Sequence, residues 1–494
     1  PAASTFMHLA SVQWYKQSIP SQSSRAVQLD NSTPRNHADI ADREDSGEWY
    51  VAEDEEIAQI IAMGTWELVP LPKGRKAIKS KWVYRIKTDS DGSITRYKAR
   101  LCACGYSQQA GVDYKDIYSP VFRMESSRLF LAIIASRKMH FIQMDVTGAI
   151  LNGPLEETIF MRQPEGFVDS SRADYVLLLL KNLYGLKQAP RVWHQTIHPF
   201  LRSLGFAAMA ADPCIYYQWD SSHTNLQLVS LYVDNLGIAG DLASDVESVR
   251  SQLHAKFKMT DEPDDQFLKM KMDRDGHAFL LSQPQAIDAL LVSTGMQDAH
   301  SVSTPMETLC VSKDDCPTVG SEDWEHMRSV PYRETIGSLT HICRSTRPDI
   351  AYPVSVASRY LANPGPAHWN MVKRILRYLK GTRDWSLRVD PGPALTSSLQ
   401  KTTQNTTIHG PLRFHGYSDA DWGGELETSK STSGYGFFLG NALVSWQSKT
   451  QSTTATSTTY AEYIASYHAA AECIWSRSFL SELGLLPSGA TTLY

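Results

Sequence analysis

The sequence of 494 residues has no apolar run that approaches the ~18 residues needed to cross a membrane. Its longest apolar stretch, YVLLLLKNLYGL, is interrupted by Lys181 and Asn182. The first twenty residues also lack a charged region followed by an apolar one, which argues against a secretory signal peptide. These absences predict a protein without a membrane partner.

Cysteine is scarce and the net charge is small. The seven cysteines are odd in number and scattered, which favours reduced intracellular thiols over a disulfide framework. Cys102 and Cys104 form a Cys-x-Cys pair, but no second pair follows at zinc-finger spacing, so a zinc site is not predicted there. A net charge of −5 excludes a uniformly basic nucleic-acid-binding protein.

What is present is the composition of a globular protein, with 42% hydrophobic and 20% charged residues. The length predicts two to four domains. Residues 1–47 are rich in Ser, Asn, Gln and Asp without periodicity, which predicts a disordered linker. The stretch TSSLQKTTQNTTIHG predicts a second boundary. Because the sequence starts without Met and stops inside the strand-like ATTLY, we expect it to be a piece of a longer polypeptide.

Antiparallel strand patterns and helical patterns alternate along the rest of the chain, which predicts the α+β class. Helices are predicted around residues 49–63, 119–139, 187–204, 244–257, 333–343, 366–380 and 460–483. A hairpin is predicted in KAIKSKWVYRIKTDSDGSITRYKARL, turning at SDGS, and a second one at Gly440 and Asn441.

The first of these hairpins is strongly basic. Residues 73–100 carry ten lysines and arginines against two aspartates, with Trp82, Tyr84 and Tyr97 between them. A basic strand pair with interleaved aromatic residues can face phosphates, although a solvated hairpin is an equally open interpretation at this point.

Two acids end apolar strands. Asp145 follows the apolar run in FIQMDV, and Asp234 lies at the tip of the hairpin VSLYVDNLGIAG. Carboxylates on neighbouring strands can hold two divalent cations, and hard oxygen ligands suit Mg²⁺. Either acid alone would more simply be a turn residue.

Many motifs occur in a specific order. They are TWELVP, KSKWVYRIK, RYKARL, DYKDIYSPVFR, QMDVTGAILNG, KNLYGLKQAPRVW, DPCIYY, LYVDN, YRETIGSLTHI, TRPDIAY, RYLANPGPAHW, KRILRYLKGT, YSDADW, STSGYGFFLG and AEYIA. From about Trp49 to Tyr494, the chain resembles the reverse transcriptase–ribonuclease H segment of copia-type LTR retrotransposon polyproteins. This resemblance argues against the interpretation of Asp145 and Asp234 as simple turn residues.

The resemblance implies a right-hand polymerase with fingers, palm and thumb, followed by a connection region and a truncated α/β ribonuclease H-like domain. The implied boundaries are 1–47 for the linker, 48–262 for fingers and palm, 263–300 for the thumb, 301–410 for the connection region and linker, and 411–494 for the ribonuclease H-like domain.

The resemblance also implies residue roles at the polymerase site. Asp145 and Asp234 correspond to palm aspartates that bind two Mg²⁺ ions, with Mn²⁺ as an alternative, and the carbonyl of Val146 is a further ligand. The implied nucleotide-binding residues are Lys87, Lys98, Arg100, Ile150, Gln188 and Tyr232. The first three grip the triphosphate, Gln188 packs against the nucleotide, and Tyr232 lies near the primer terminus.

In the C-terminal domain, Asp419 in YSDADW and Glu462 in AEYIA resemble the first two metal-binding carboxylates of ribonuclease H. Asp421 is interpreted as a turn residue and Glu472 as a solvated one. The third acid of such a site would come from a strand end just beyond ATTLY, so we expect the site to be incomplete within these residues.

Several positions depart from the family pattern. Asn235 stands where the family has a second aspartate of the catalytic Tyr-x-Asp-Asp hairpin, so one negative charge is lost. Ile150 stands in place of the Phe that blocks a 2′-hydroxyl, Lys269 in place of a Gly in a tight turn, and Cys104 in place of a basic residue. Tyr460 replaces a Glu. The pattern is typical of a decaying copy of the element.

The expected function is therefore RNA-directed DNA polymerisation, with reduced or lost activity in this copy. The alternative is a catalytically dead remnant that holds nucleic acid, in a decaying or co-opted element. The expected partners are a primed RNA or DNA template, dNTPs and other parts of the polyprotein. The expected location is a cytoplasmic virus-like particle, with the nucleus as the alternative.

Overall fold

A computed structural model of the chain describes residues 14–16, 33–88, 94–307, 311–392, 413–425, 427–486 and 489–494. They form a mixed α/β structure. Its strands are β1 (Trp14–Lys16), β2 (Trp66–Val69), β3 (Ala77–Ile78), β4 (Ser80–Thr88), β5 (Ile94–Ala103), β6 (His140–Val146), β7 (Pro154–Arg162), β8 (Val176–Lys181), β9 (Ala207–Ala208), β10 (Ile215–Trp219), β11 (Leu226–Tyr232), β12 (Asn235–Gly240), β13 (Met259–Glu262), β14 (Gln266–Phe267), β15 (Met270–Asp275), β16 (Ala278–Ser282), β17 (Trp385–Val389), β18 (Phe414–Ala420), β19 (Thr432–Leu439), β20 (Ala442–Thr450) and β21 (Thr492–Leu493).

Its helices are α1 (Ser46–Ala62), α2 (Met124–Arg137), α3 (Ala189–Ser203), α4 (Ala243–Lys256), α5 (Pro284–Ser293), α6 (Glu322–Ser329), α7 (Tyr332–Ser345), α8 (Ala351–Ala357), α9 (Pro366–Gly381) and α10 (Thr458–Glu482). Within the described ranges, none of these helices is both long and apolar enough to span a bilayer.

A six-stranded antiparallel sheet, in the order β13-β6-β12-β11-β10-β9, forms the centre of the N-terminal half. The buried positions of its strands are mostly apolar, and Met144, Val229 and Ile238 are almost fully buried. The basic hairpin β4–β5 lies to one side of this sheet. Its apolar face packs against α1, where Trp49 contacts the rings of Tyr84 and Tyr97.

Helix α2 is buried on every side, because all its residues from Ser126 to Ala135 are inaccessible. A helix that is buried on every side must lie between other layers. Here α2 contacts both the five-stranded sheet β1-β17-β16-β15-β14 and the C-terminal strand β20. One continuous apolar core therefore joins the N-terminal half to the C-terminal sheet.

The C-terminal sheet has the order β20-β19-β18-β21, with α10 packed on it. Strand β21 runs parallel to β18, and the other pairs are antiparallel. Helices α5 to α9 form a separate cluster around residues such as Leu339, Val372 and Leu379.

The predicted helices and strands are confirmed, with boundaries shifted by a few residues. The hairpin turn at Gly440 and Asn441 is confirmed by the pairing of β19 with β20. The predicted SDGS turn, most of the predicted linker 1–47 and the whole of the second boundary stretch lie outside the described residues. Residues 33–47 contain a 3₁₀ turn, His37–Ile40, and the start of α1.

The tight turn predicted around Lys269 is confirmed. Phe267 pairs with Met270, so Leu268 and Lys269 form a two-residue loop, with φ of 51° and 65° respectively. Both residues occupy the left-handed region, which glycine adopts without a steric penalty but other residues adopt at a cost of roughly 1–2 kcal/mol.

Replacing Lys269 with glycine is expected to raise the free energy of unfolding by about 1 kcal/mol, because the left-handed backbone is no longer strained. Urea denaturation measures the change. The matched control is Lys271→Gly, the same substitution inside β15, which should lower stability by about 0.5–1 kcal/mol. A loss of stability with Lys269→Gly would contradict the turn.

Candidate active site

The β11–β12 hairpin presents Asp234 at its tip. Tyr232 pairs with Asn235, so Val233 and Asp234 form the loop. Val233 has a φ of 58°, which is unfavourable for a β-branched residue. The indole of Trp193 donates a hydrogen bond of 2.5 Å to the Val233 carbonyl and helps to hold this conformation. Strain of this kind at a candidate acid is typical of functional sites.

Strand β6 brings Asp145 next to this tip. Asp145 lies directly opposite Asn235, and the Val146 N–H donates to the Asp234 carbonyl at 2.8 Å. The amide of Asn235 donates to the Asp234 carboxylate at 3.3 Å. The structure thus brings the two predicted aspartates together, and Asn235 contributes a neutral donor where an acid would contribute charge.

The electrostatics of Asp145 show what surrounds it. Burial, followed by the charges of Asp234 and Glu262, raises the pKa of Asp145 to about 6, whereas Lys98 and Lys87 oppose the shift. The lysines of the hairpin and the aspartates of the central sheet therefore act on each other within one site.

The raised pKa gives Asp145 a definite effect on stability. Between its ordinary pKa near 4 and about 6, the folded state holds a proton that the unfolded state releases, so stability falls as pH rises through this window. In EDTA, Asp145→Asn should therefore raise the melting temperature at pH 7.5, and the increase should shrink towards pH 4. A thermal-shift series measures it, and an equal increase at both pH values would contradict the assignment.

Not every donor on the basic face of the hairpin has a hydrogen-bond partner among the described residues. Burial, Arg100 and Lys87 lower the pKa of Lys98, whereas Glu56 and Asp145 oppose the shift. The guanidinium of Arg100 lies 5.0 Å from the ring centroid of Tyr184. Its Nε is buried and has no hydrogen-bond partner among the described residues. A buried donor without a partner commonly indicates a ligand or water.

Tyr184 and Glu56 are site residues that the sequence reasoning missed. Burial raises the pKa of Tyr184, on which Arg100, Asp234 and Asp145 also act. Gly185 follows it at φ 87°, where a Cβ would lie 2.2 Å from the Ala103 carbonyl oxygen. This close approach to β5 fixes Tyr184 between the acids and the hairpin.

Glu56 reaches the same hairpin from α1. Its carboxylate accepts a hydrogen bond of 3.3 Å from the Leu101 N–H, and burial raises its pKa. The sequence offers one signal for this position: an acid on the apolar stripe of a helix that precedes a basic hairpin.

Two predicted nucleotide-binding residues are buried. Gln188 is 1% exposed, and its amide bonds to Gln108 at 3.1 Å and to the Asp113 carbonyl at 2.9 Å. Ile150 is 5% exposed and lies in the apolar core beneath the central sheet. Tyr232 is 39% exposed at the hairpin. Their roles toward a nucleotide stay predictions.

The donor set fits a hard divalent cation. Asp145, Asp234 and the carbonyl of Val146, at the end of β6, offer only oxygen atoms, which Mg²⁺ prefers together with water and phosphate. The described residues contain no cluster of three or more acidic, histidine or cysteine side chains arranged for a metal. An ion here would therefore depend on the substrate for further ligands.

A second acid pair lies in the C-terminal sheet. Glu462 on α10 and Asp419 on β18 share a hydrogen bond, and burial and the Asp419 charge raise the pKa of Glu462. The Tyr494 carbonyl accepts a hydrogen bond of 3.0 Å from Ser418, so β21 lies beside the strand that carries Asp419. The structure thus brings Asp419 and Glu462 together, and their role toward metal ions stays a prediction.

The interpretations of the two other acids in this domain, Asp421 and Glu472, have different outcomes. Asp421 accepts a hydrogen bond from the Thr432 N–H, which confirms its interpretation as a turn residue. The interpretation of Glu472 as solvated is wrong. It lies on the same face of α10 as Ala465 and Ala469, is 9% exposed, and accepts a hydrogen bond of 2.8 Å from Ser445.

Comparison with known proteins identifies the family. Residues 63–308 match the family described as reverse transcriptase (RNA-dependent DNA polymerase). The Pol polyprotein from transposon TNT 1-94 of Nicotiana tabacum is 39% identical over 92% of this chain and 33% of its own length. That from transposon RE2 of Arabidopsis thaliana is 36% identical over 90% of this chain and 29% of its own length. A transposon Ty5-1 protein of Saccharomyces cerevisiae is 30% identical over 62% of this chain and 92% of its own length.

This chain belongs to the reverse transcriptase family of copia-type transposon polyproteins. The resemblance drawn from the ordered motifs is thereby confirmed. The chain spans about a third of the length of the TNT 1-94 and RE2 polyproteins. Family membership implies nucleotidyl transfer as the general chemistry, whereas the roles of individual residues remain proposals.

Proposed function

We propose that this chain extends a primer with dNTPs on an RNA or DNA template, using two Mg²⁺ ions held by Asp145 and Asp234, with Mn²⁺ as an alternative. The observation that carries the proposal is the position of Asp145 beside the hairpin tip that presents Asp234. The charges of Lys98 and Lys87 on the basic hairpin also act on Asp145. Such ions, when bound, would activate the primer hydroxyl and neutralise charge on the leaving pyrophosphate.

The chain's own residues bind and orient the nucleotide. Lys87, Lys98 and Arg100 lie on one face of the hairpin, because alternate residues of a strand share a face and Lys87 pairs with Arg96 on β5. They face the triphosphate and compensate its charge, and the unpaired Nε of Arg100 donates to it. Tyr184 stacks against Arg100 and forms one wall of the nucleotide pocket. The strained hairpin tip holds Asp234 in position before the substrate binds.

Within this proposal, residues 48–262 are the fingers and palm, 263–300 the thumb, 301–410 the connection region and linker, and 411–494 a ribonuclease H-like domain. Asp419 and Glu462 would hold metal ions there. Tyr232 lies near the primer terminus, Ile150 occupies the position of the larger ring that blocks a 2′-hydroxyl, and Gln188 supports the nucleotide pocket. The other polyprotein parts are proposed partners, and a cytoplasmic virus-like particle is the proposed location.

A second candidate is binding of primer–template without extension. Asn235 favours it, because the residue removes one of the charges that would balance two dications at the hairpin tip. The two candidates share the nucleic-acid-binding surface and differ only in whether nucleotides are added. Binding measurements therefore test the shared site, and extension assays separate the candidates.

Replacing Lys87, Lys98 and Arg100 together with alanine should weaken dNTP binding more than 100-fold, since each charged hydrogen bond contributes about 1.5–3 kcal/mol. Binding of primer–template should weaken only several-fold. Isothermal titration with dNTP and fluorescence anisotropy with labelled duplex, both with Ca²⁺ in place of Mg²⁺, measure the two affinities.

The matched control is Lys73→Ala with Lys76→Ala, which removes two exposed cations that precede the hairpin. This control should leave dNTP affinity unchanged. Duplex affinity should fall steeply with salt in every variant, because phosphate contacts release counterions. Equal losses of dNTP and duplex affinity in the triple variant would contradict the placement of these residues at the triphosphate.

A further inference from the structure

Strand β13 brings a third acid to the sheet face that carries Asp145. In the antiparallel pair β6–β13, Thr260 lies opposite Asp145 and Glu262 opposite Gln143. Opposed residues share a face, as do residues two apart on one strand. The Thr147 and Thr260 hydroxyls are 3.3 Å apart, which confirms that these side chains point to one side. Glu262 is therefore a diagonal neighbour of Asp145.

On the other neighbouring strand, β12, the residue beside Asp145 carries no charge. Asn235 lies opposite Asp145 on β12, so Asp145 is flanked by a neutral amide on one strand and by the β13 acid on the other. Glu262 is exposed, and its carboxylate makes no hydrogen bond or ion pair with any described residue.

We infer that Glu262 is a positioning residue that supplies, from β13, the negative charge that Asn235 no longer supplies to the metal site. This inference rests on the proposed function. Diagonal neighbours on paired strands are roughly 7–8 Å apart, so Glu262 would act on an ion's water shell rather than as a direct ligand. Mg²⁺ commonly retains several such waters, and each can donate a hydrogen bond to an outer carboxylate.

The test is Mn²⁺ binding, measured by electron paramagnetic resonance of the free ion. All proteins carry Asp419→Asn, so that the second acid pair does not contribute. Glu262→Gln should weaken Mn²⁺ binding by about 3- to 10-fold, the effect of one charge on a dication at this separation in a solvated site. In an Asn235→Asp background, the same substitution should have a clearly smaller effect.

The matched control is Asp261→Asn. Asp261 neighbours Glu262 on β13 but faces the opposite side, where it pairs with Arg250 at 2.6 Å. It carries the same charge change and should leave Mn²⁺ affinity nearly unchanged. A Glu262→Gln effect no larger than that of Asp261→Asn would overturn the inference, while a loss of binding with Asp145→Asn would still support the proposed site. Binding unaffected by Asp145→Asn would overturn both.

Discussion

Replacing Arg128 with methionine is expected to lower the free energy of unfolding by about 3–5 kcal/mol, because the change leaves buried acceptors without a donor. Arg128 is 1% exposed on α2. It donates to the carbonyl of Val444 on β20 at 2.7 Å and to those of Arg344 and Ser345 at the end of α7, at 2.7 and 3.2 Å. One side chain thereby joins three parts of the chain.

The surroundings of Arg128 explain why the position should be sensitive. Its guanidinium lies 3.9 Å from the ring centroid of Trp446, whose indole donates to the Cys343 carbonyl at 3.2 Å. Burial lowers the pKa of Arg128 to about 10, so the group is still charged at neutral pH. Without it, the charge, the planar donors and the contact with the ring are all lost.

Urea unfolding followed by tryptophan fluorescence measures this effect, and amide hydrogen exchange in α2 and β20 locates it. The matched control is Arg172→Met, which removes a half-exposed arginine paired with Asp169 and should change stability by less than about 1 kcal/mol. Arg128→Lys should be intermediate, since one ammonium cannot serve the same three carbonyls. Equal midpoints for Arg128→Met and Arg172→Met would contradict the role of Arg128 as a junction.

The second large effect is expected from Asn235→Asp, which should raise the rate of primer extension by about 10²–10³-fold, the scale of preorganised charge at active sites. The substitution replaces an amide that donates to Asp234 by a third carboxylate opposite Asp145. Single-nucleotide extension under saturating dNTP measures the rate. Ile150→Phe is the control for specificity, and should sharpen the preference for dNTP over rNTP without a comparable change in rate.

The sequence alone predicted the strands that carry Asp145 and Asp234, because their apolar runs are short and end close to these acids. It also predicted helix α10 and therefore the position of Glu462. These are local patterns, and the ordered motifs linked them to a family before any contact was known.

Long-range pairing could not be predicted in the same way. The five-stranded sheet joins residues 14–16 and Trp385–Val389 to strands near residue 280, a combination that no local pattern encodes. The position of Glu262 beside Asp145 depends on the register of β13. The position of Glu56 beside the basic hairpin depends on how α1 packs against β5. Glu472 was assigned to solvent because the sequence does not show which face of α10 meets the sheet.

The central claim is that Asp145 and Asp234 form a polymerase site. The most direct test compares template-directed dNTP addition by the Asn235→Asp protein with addition by the same protein carrying Asp145→Asn, in Mg²⁺ and in Mn²⁺. We expect extension in the first protein and its loss in the second, because one aspartate of the pair is gone. Extension that survives Asp145→Asn, or a complete absence of extension in Asn235→Asp and in its double variant with Lys269→Gly, would contradict the claim.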